Sequence, residues 1–342
     1  MKGSMVLIDA GRAAFMLNGR LHDLLVDPKP DDPTPRPEAI YRGILARPLK
    51  GMHGAILQLP DGQSAFLKDA KGLAPGTSLL VQVSTFSDAG KATPVVRKLL
   101  FKSRYAIVTP SNPGINIARS IRDEDERDRL LLIAHTAMQD GGEGLILRSV
   151  CNGADGDVIA KDIAQMLRSC RDVMSDSVAN SPALLLDAPL AAERGWRDWA
   201  HPDQLIDTDG CFADHGVLED IDIALQAIVK IGNTAWISVE PTQALIAIDV
   251  NTGGDFSPAA GLKTNLAAAR EISRQLCIRG LGGQITIDFA PMGKKDRIKL
   301  EVALKAEFRR GAVDTILAGW TPLGNMELQR KRERFSLKKA MK

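Results

Sequence analysis

Two runs, ALIAIDV (244–250) and QITIDF (284–289), decide how this chain is read. Each is a short apolar segment with an aspartate near its end, and between them lies one helix-length segment closed by Gly280, Gly282 and Gly283. A strand, a crossover helix and a second strand make a parallel pair, so Asp249 and Asp288 are expected side by side at the carboxyl edge of one sheet. Ligand sites of open α/β sheets form at that edge. Neighbouring carboxylates repel, and burial beside apolar strands sharpens the repulsion unless a cation sits between them. Magnesium suits the position: it prefers hard oxygen ligands and is commonly held by one or two carboxylates plus a substrate phosphate. Asn251, two residues past Asp249, faces the same side of an extended strand, where its amide can orient the carboxylate. The residues alone also fit a plainer role, aspartates ending strands beside turns, since Asn251-Thr252-Gly253-Gly254 is a good turn sequence.

Length and composition agree with a multi-part intracellular protein. With 342 residues and 44% hydrophobic content the chain can build two to four domains or subdomains. MKGSMVLIDAGR at the start has no apolar signal stretch and no apolar run is long enough to span a bilayer, so a cytoplasmic location is expected. Cys151, Cys170, Cys211 and Cys277 are widely spaced, which argues against a zinc knuckle or a disulfide framework and for buried thiols. The formal charge of +2 hides an asymmetry: from Ala290 onward 14 Lys and Arg face 6 Asp and Glu, leaving 30 against 36 before it. A basic segment beside an acidic metal site suits a polyanion, whose phosphates are gripped by cations. Arg330, Lys331, Arg332 and Arg334 are its densest part, read equally well as a solvated helix end.

The stretches AIDVNTGG (247–254), KTNLAAAREISRQLCIRGLGGQITIDF (263–289) and LGNMELQRKRERFSL (323–337) resemble the catalytic region of the ribonuclease E/G family. More loosely, RAAFMLNGRLHDLLVD (12–27) and AIYRGILARP (39–48) resemble its opening segment. The resemblance implies an α+β, α/β multi-subdomain fold. A ribonuclease-H-like structural subdomain (1–34 with 183–223) would be interrupted by an OB-fold RNA-binding barrel (35–102) and a 5′-phosphate sensor region (103–182), and a deoxyribonuclease-I-like catalytic subdomain (224–342) would follow. It further implies that Asp249 and Asp288 are the magnesium ligands and, with Asn251 positioning Asp249, the catalytic residues. Two departures stand out. Ala290-Pro291-Met292 follows Asp288 where the family usually has another acidic residue, and no cysteine pair appears before Lys342, so a zinc-linked dimer is not expected while a homo-oligomer without zinc stays open.

Between Ile40 and Lys102, IYRGILA, GAILQL, the turn Pro60-Asp61-Gly62, SAFL and SLLVQV read as short strands of a small antiparallel barrel. By the resemblance Phe66 and Lys91 contact RNA, and Ile56 stands where a second phenylalanine is usual; taken alone, Phe66 reads as a core residue. Further on, DEDERDRLLLIAHTAM (123–138) and IAKDIAQMLRSCRDVM (159–174) read as helices around the strand GLILRSV (144–150). Here the resemblance places Arg148 and Ser149 in a pocket that senses a 5′-monophosphate, a guanidinium giving bidentate donors and a hydroxyl one more. Without it, Arg148 reads as a strand residue paired with a local acid. Trp196, Trp199, His201 and His215 receive no role.

The segment between the aspartates reads as an amphipathic helix capped by Thr264 or Asn265, with Leu266, Ala269, Ile272 and Leu276 as its apolar stripe. Arg270, Arg274 and Arg279 fall off the stripe, toward RNA or solvent. The activity expected from these readings is magnesium-dependent hydrolysis of single-stranded RNA by activated water, leaving 5′-phosphate and 3′-hydroxyl ends, in RNA processing and decay. Two other classes stay open: a non-catalytic RNA-binding regulator, which loss of an aspartate would signal, and a phosphoesterase acting on DNA.

Overall fold

Asn18-Gly19 and Ala10-Gly11 are the turn residues that start the fold. All four have positive φ, the conformation of two-residue hairpin loops, and they join β1 (Ser4–Asp9), β2 (Arg12–Leu17) and β3 (Arg20–Val26) into an antiparallel meander. The structure is a computed structural model describing residues 3–88, 90–138, 141–255, 257 and 259–341. It comprises two units: Met1–Asp32 with Leu190–Gly195 and His201–Lys342, and Pro33–Pro189 with Trp196–Ala200. Among the described residues no helix is long and apolar enough to cross a membrane.

In the second unit β4 (Ile40–Leu49), β5 (Gly54–Gln58), β6 (Ser64–Lys68), β7 (Ser78–Val83) and β8 (Thr93–Val96) close into a barrel, because β4 pairs with both β5 and β7 and β8 bridges β6 to β7. Closure leaves no free edge among these five strands. Ala55, Leu57, Ala65 and Leu67 fill the interior. A second sheet, built from β9 (Phe101–Lys102), β10 (Ala106–Thr109), β11 (Gly114–Ile117) and β12 (Gly144–Leu147), packs with α1 (Glu124–Met138) and α2 (Gly156–Ser175). Asp155 caps α2 by accepting from the N–H groups of Asp157 and Val158, and Ile159, Ile163, Leu167 and Cys170 form its buried stripe. β13 (Ala183–Leu186) pairs with β4, so residues 183–189 belong to the barrel unit rather than to the N-terminal sheet, where the sequence had placed them.

After α3 (Ala191–Asp198), β14 (Gln204–Ile206) joins β1 in parallel, and α4 (Cys211–Asp214) and α5 (Val217–Leu225) cover the meander through Phe212, Val217 and Ile221. The chain then forms a mixed sheet in the order β15 (Ile228–Ile231), β16 (Ala235–Pro241), β17 (Ile246–Asn251), β18 (Gly283–Asp288), β20 (Met326–Arg330), β19 (Thr315–Trp320). β17 and β18 run parallel, connected by α6 (Ala260–Ile278), and α7 (Lys294–Arg310) follows β18. Ala269, Ile272 and Leu276 of α6 and Leu300, Leu304 and Phe308 of α7 bury one face of the sheet. The helix starts at Ala260, so Thr264 and Asn265 lie inside it and do not cap it.

The basic run near the C-terminus is largely structural, which corrects its reading as a polyanion grip. Arg330 is 1% exposed and donates to Leu281 O (3.2 Å), Thr315 Oγ1 (2.7 Å) and Cys277 Sγ (3.1 Å). Arg334 forms a buried two-pronged pair with Asp23 of β3, at 3.0 and 2.9 Å. The glycines closing α6 exist to admit this returning strand: a Cβ on Gly280, whose φ is +60°, would lie 2.1 Å from Phe335 O, and one on Gly282 2.5 Å from Lys331 O. Leu337, at the start of α8 (Leu337–Ala340), donates its N–H to Arg279 O and enters the core of the meander. Arg274 and Arg279 are likewise occupied, Arg274 by Glu271 and Arg279 by Gln275 Oε1 (2.8 Å), while Arg270 is exposed. Asp23→Ala strands the buried Arg334 charge and is expected to cost about 3–5 kcal/mol of unfolding free energy, measured as a lower midpoint in urea denaturation.

Candidate active site

Register decides what the two aspartates can do. Asp249 and Asp288 are direct partners across the parallel β17–β18 ladder, and both side chains point to the sheet face that the helices leave open. Alternation is the cause: Ile248 and Val250, like Ile287, turn into the helix-covered core, so the residues beside them turn out. The carboxylates are therefore exposed, and the burial expected to sharpen their repulsion is absent. Asn251 Nδ2 donates to Asp249 Oδ2 at 2.6 Å, fixing which way that carboxylate turns. The loop behind it is tight, since a Cβ on Gly253, with φ at +67°, would stand 2.2 Å from Thr234 O. Ser238 of β16 lies opposite Asp249 on the same open face.

Among the described residues Asp288 has no corresponding side-chain partner; the chain beyond it is held instead. Phe289 is buried and stacks at a tilt on Trp320 with ring centroids 6.1 Å apart, and Ala290 is bonded through both backbone groups to Asn265. The donor set fits magnesium. Two carboxylates supply hard oxygens, and the open face leaves the remaining positions to water and a phosphate. Lys294 and Lys295 are exposed at the start of α7, shortly after Asp288 in the chain.

In the other unit, Phe66 projects from the outer surface of the barrel and not into its core, as its alternation with Ala65 and Leu67 requires. It faces Ile56 on β5 and Pro94 on β8, and its ring lies over Gly54, where a Cβ would be 2.6 Å from Phe66 Cε2. Lys91 is exposed in the β7–β8 loop and pairs with Asp88 at 2.8 Å.

Arg148 is more constrained than its sequence reading suggested. Its Nη1 donates to Ser103 O (2.7 Å) and Arg197 O (3.0 Å), and Nη2 to Asp198 Oδ1 (3.0 Å). Asp198 also receives Arg197, which pairs with Glu38 in turn. Burial works against the Arg197 charge, yet the bonds to Asp198 and Glu38 prevail and hold its pKa above the ordinary arginine value. Ser149 is exposed at the start of the short 3-10 turn Ser149–Cys151 that follows β12. The four cysteines are all buried, and burial pushes the thiols of Cys151 and Cys170 up to about 11.

Comparison with known proteins matches residues 101–207 and 204–333 to the ribonuclease E/G family. The chain is 30% identical over 302 residues to ribonuclease E of Synechocystis sp., covering 76% of this chain and 44% of that protein. With ribonuclease E of Nostoc sp. it shares 27% identity over 350 residues, 86% of this chain and 51% of that protein. With ribonuclease G of Salmonella typhimurium it shares 26% over 360 residues, 87% of this chain and 73% of that protein. The chain thus spans about half the length of the ribonuclease E relatives it matches.

Arg148→Ala deletes charged donors to the carbonyls of Ser103, Arg104 and Arg197 and to the Asp198 carboxylate, and is expected to lower the stability of its unit by about 1.5–3 kcal/mol, read from urea denaturation. An unchanged midpoint would mean that the guanidinium is free for a ligand.

Proposed function

Because this chain belongs to the ribonuclease E/G family, we propose that it is a magnesium-dependent endoribonuclease that cuts single-stranded RNA at Asp249 and Asp288. The observation that carries this reading is the register pairing of the two carboxylates on an open sheet face, with Asn251 holding one of them. Asp249 and Asp288 would hold the magnesium ion, which when bound eases deprotonation of water and offsets charge building on the phosphate. Asn251 keeps Asp249 turned in one direction, so the pair is ordered before substrate arrives. The open face accepts a flexible strand without unfolding anything, and Lys294 and Lys295, exposed at the start of α7, would meet flanking phosphates. Water attacks phosphorus while the 3′ oxygen leaves, so the products carry a 5′-phosphate and a 3′-hydroxyl.

On the same reading the barrel is the OB-fold RNA clamp, with Phe66 as a stacking platform and Lys91 as a phosphate contact in exchange for Asp88. Ile56, beside Phe66 on the outer face, gives apolar contact without a second aromatic plane. The meander would be the ribonuclease-H-like structural part and the mixed sheet the deoxyribonuclease-I-like catalytic part. Arg148 and Ser149 would sense a 5′-monophosphate by letting a phosphate replace Asp198 on the guanidinium.

The test is cleavage of an internally labelled single-stranded RNA in magnesium, with product ends mapped. Asp249→Asn and Asp288→Asn should each slow cutting by about a hundredfold or more, at or beyond the loss seen when a residue supporting a metal ligand is removed. RNA that is bound by wild type and never cut would overturn the enzyme reading. In magnesium-free binding assays Phe66→Ala should weaken single-stranded RNA by about 1–3 kcal/mol, and Ile56→Phe should tighten it; equal affinities for all three proteins would remove the stacking role.

A further inference from the structure

With Asp249 and Asp288 read as a metal pair, on which this rests, we infer that Asn265 is a positioning residue for Asp288, acting through the backbone that leaves its strand. Asn265 lies inside α6, where asparagine is a poor helix former, and its side chain is 0% exposed. Both ends of its amide are bonded to one residue: Nδ2 donates to Ala290 O at 2.8 Å, and Oδ1 accepts from Ala290 N at 3.0 Å. A paired contact of this kind fixes the amide plane and, with it, the peptide groups on both sides of Ala290.

That position matters because the sheet stops holding the chain there. Pairing of β18 ends at Asp288 on the β17 side and at Ile287 on the β20 side. Beyond that point no ladder bond among the described residues restrains the strand, and an exposed carboxylate at the last rung takes its direction from whatever fixes the next residues. Asn265 supplies that restraint from inside the helix. A second contact on the same helix face acts on the neighbouring residue: Gly261, four positions earlier, has no Cβ where one would lie 2.4 Å from Pro291 O. The crossover helix therefore receives Ala290 through an amide and Pro291 through a missing side chain. The two carboxylates are oriented by different means, Asp249 by a side-chain amide from its own strand and Asp288 through the backbone of Ala290, two residues on, which the Asn265 amide grips.

The experiment is Mn²⁺ binding, followed by the electron paramagnetic resonance of the free ion, on the full chain and its variants. Asn265→Ala is expected to raise the Mn²⁺ dissociation constant about tenfold or more, the loss typical of residues that hold a metal ligand in place. The magnesium concentration for half-maximal RNA cleavage should rise with it, while the rate at saturating magnesium recovers toward wild type. Gly261→Ala, which adds a methyl group that a helix tolerates, should weaken Mn²⁺ in the same direction and carries the test if Asn265→Ala does not fold. Leu276→Val, about three turns further along α6, controls for core damage and should lose stability without losing Mn²⁺ affinity. Wild-type Mn²⁺ binding by Asn265→Ala and Gly261→Ala, alongside lost binding by Asp249→Asn and Asp288→Asn, would overturn the role of Asn265. Wild-type binding by the two aspartate variants would instead overturn the metal pair itself, and the positioning role with it.

Discussion

The parallel ladder between β17 and β18 is the constraint on which the site depends. It places Asp249 opposite Asp288 without any loop having to reach across the molecule, and a slip of one residue in either strand would turn its carboxylate into the helix-covered core. The slip is prevented by the apolar partners of the same strands. Ile246, Ile248 and Val250 on one side and Ile285 and Ile287 on the other are buried against α6 and α7, so hydrophobic burial and the register of the two aspartates are set by one alternation. Sheet edges of this kind host ligands because strand ends meet helix starts there, and here the covering helices leave the opposite face open.

The same sheet explains why the C-terminal motif is so basic and yet so little exposed. RGLGG (279–283) and RKRER (330–334) meet in space: the glycines clear room for the returning backbone, and the arginines satisfy carbonyls and Asp23 around it. Removing an arginine from water is costly unless acceptors surround it. Arg330 and Arg334 have those acceptors, which is a structural reason for arginine, with its planar fork of donors, and not lysine. The exposed positive charge of the segment falls mainly on α7, through Lys294, Lys295, Lys299, Lys305, Arg309 and Arg310.

Much of this was legible in the sequence where a pattern repeats. IAIDVN and GQITID alternate, so strand, face and register followed from spacing, and Asn251 reached Asp249 as period two requires. Four of the five barrel strands, α1 and α2 were legible from turn residues and apolar stripes, while β8, which closes the barrel, was not. What escaped was set by partners distant along the chain. A run of arginines looks the same whether it faces solvent or Asp23, more than 300 residues away. Phe66 could not be placed inside or outside the barrel until its neighbours Ala65 and Leu67 had an interior to fill. Asn265 looked like a cap because asparagine favours caps; its presence within a helix was the available sign that its amide had another duty.

The central claim is that one divalent cation binds where the two parallel strands bring their aspartates together. Crystals of the protein soaked in Mn²⁺, with diffraction recorded for the anomalous signal of the metal, test it most directly. A peak in contact with carboxylate oxygens of both Asp249 and Asp288 is the expected result. Strong Mn²⁺ peaks elsewhere with none at this pair would contradict the account.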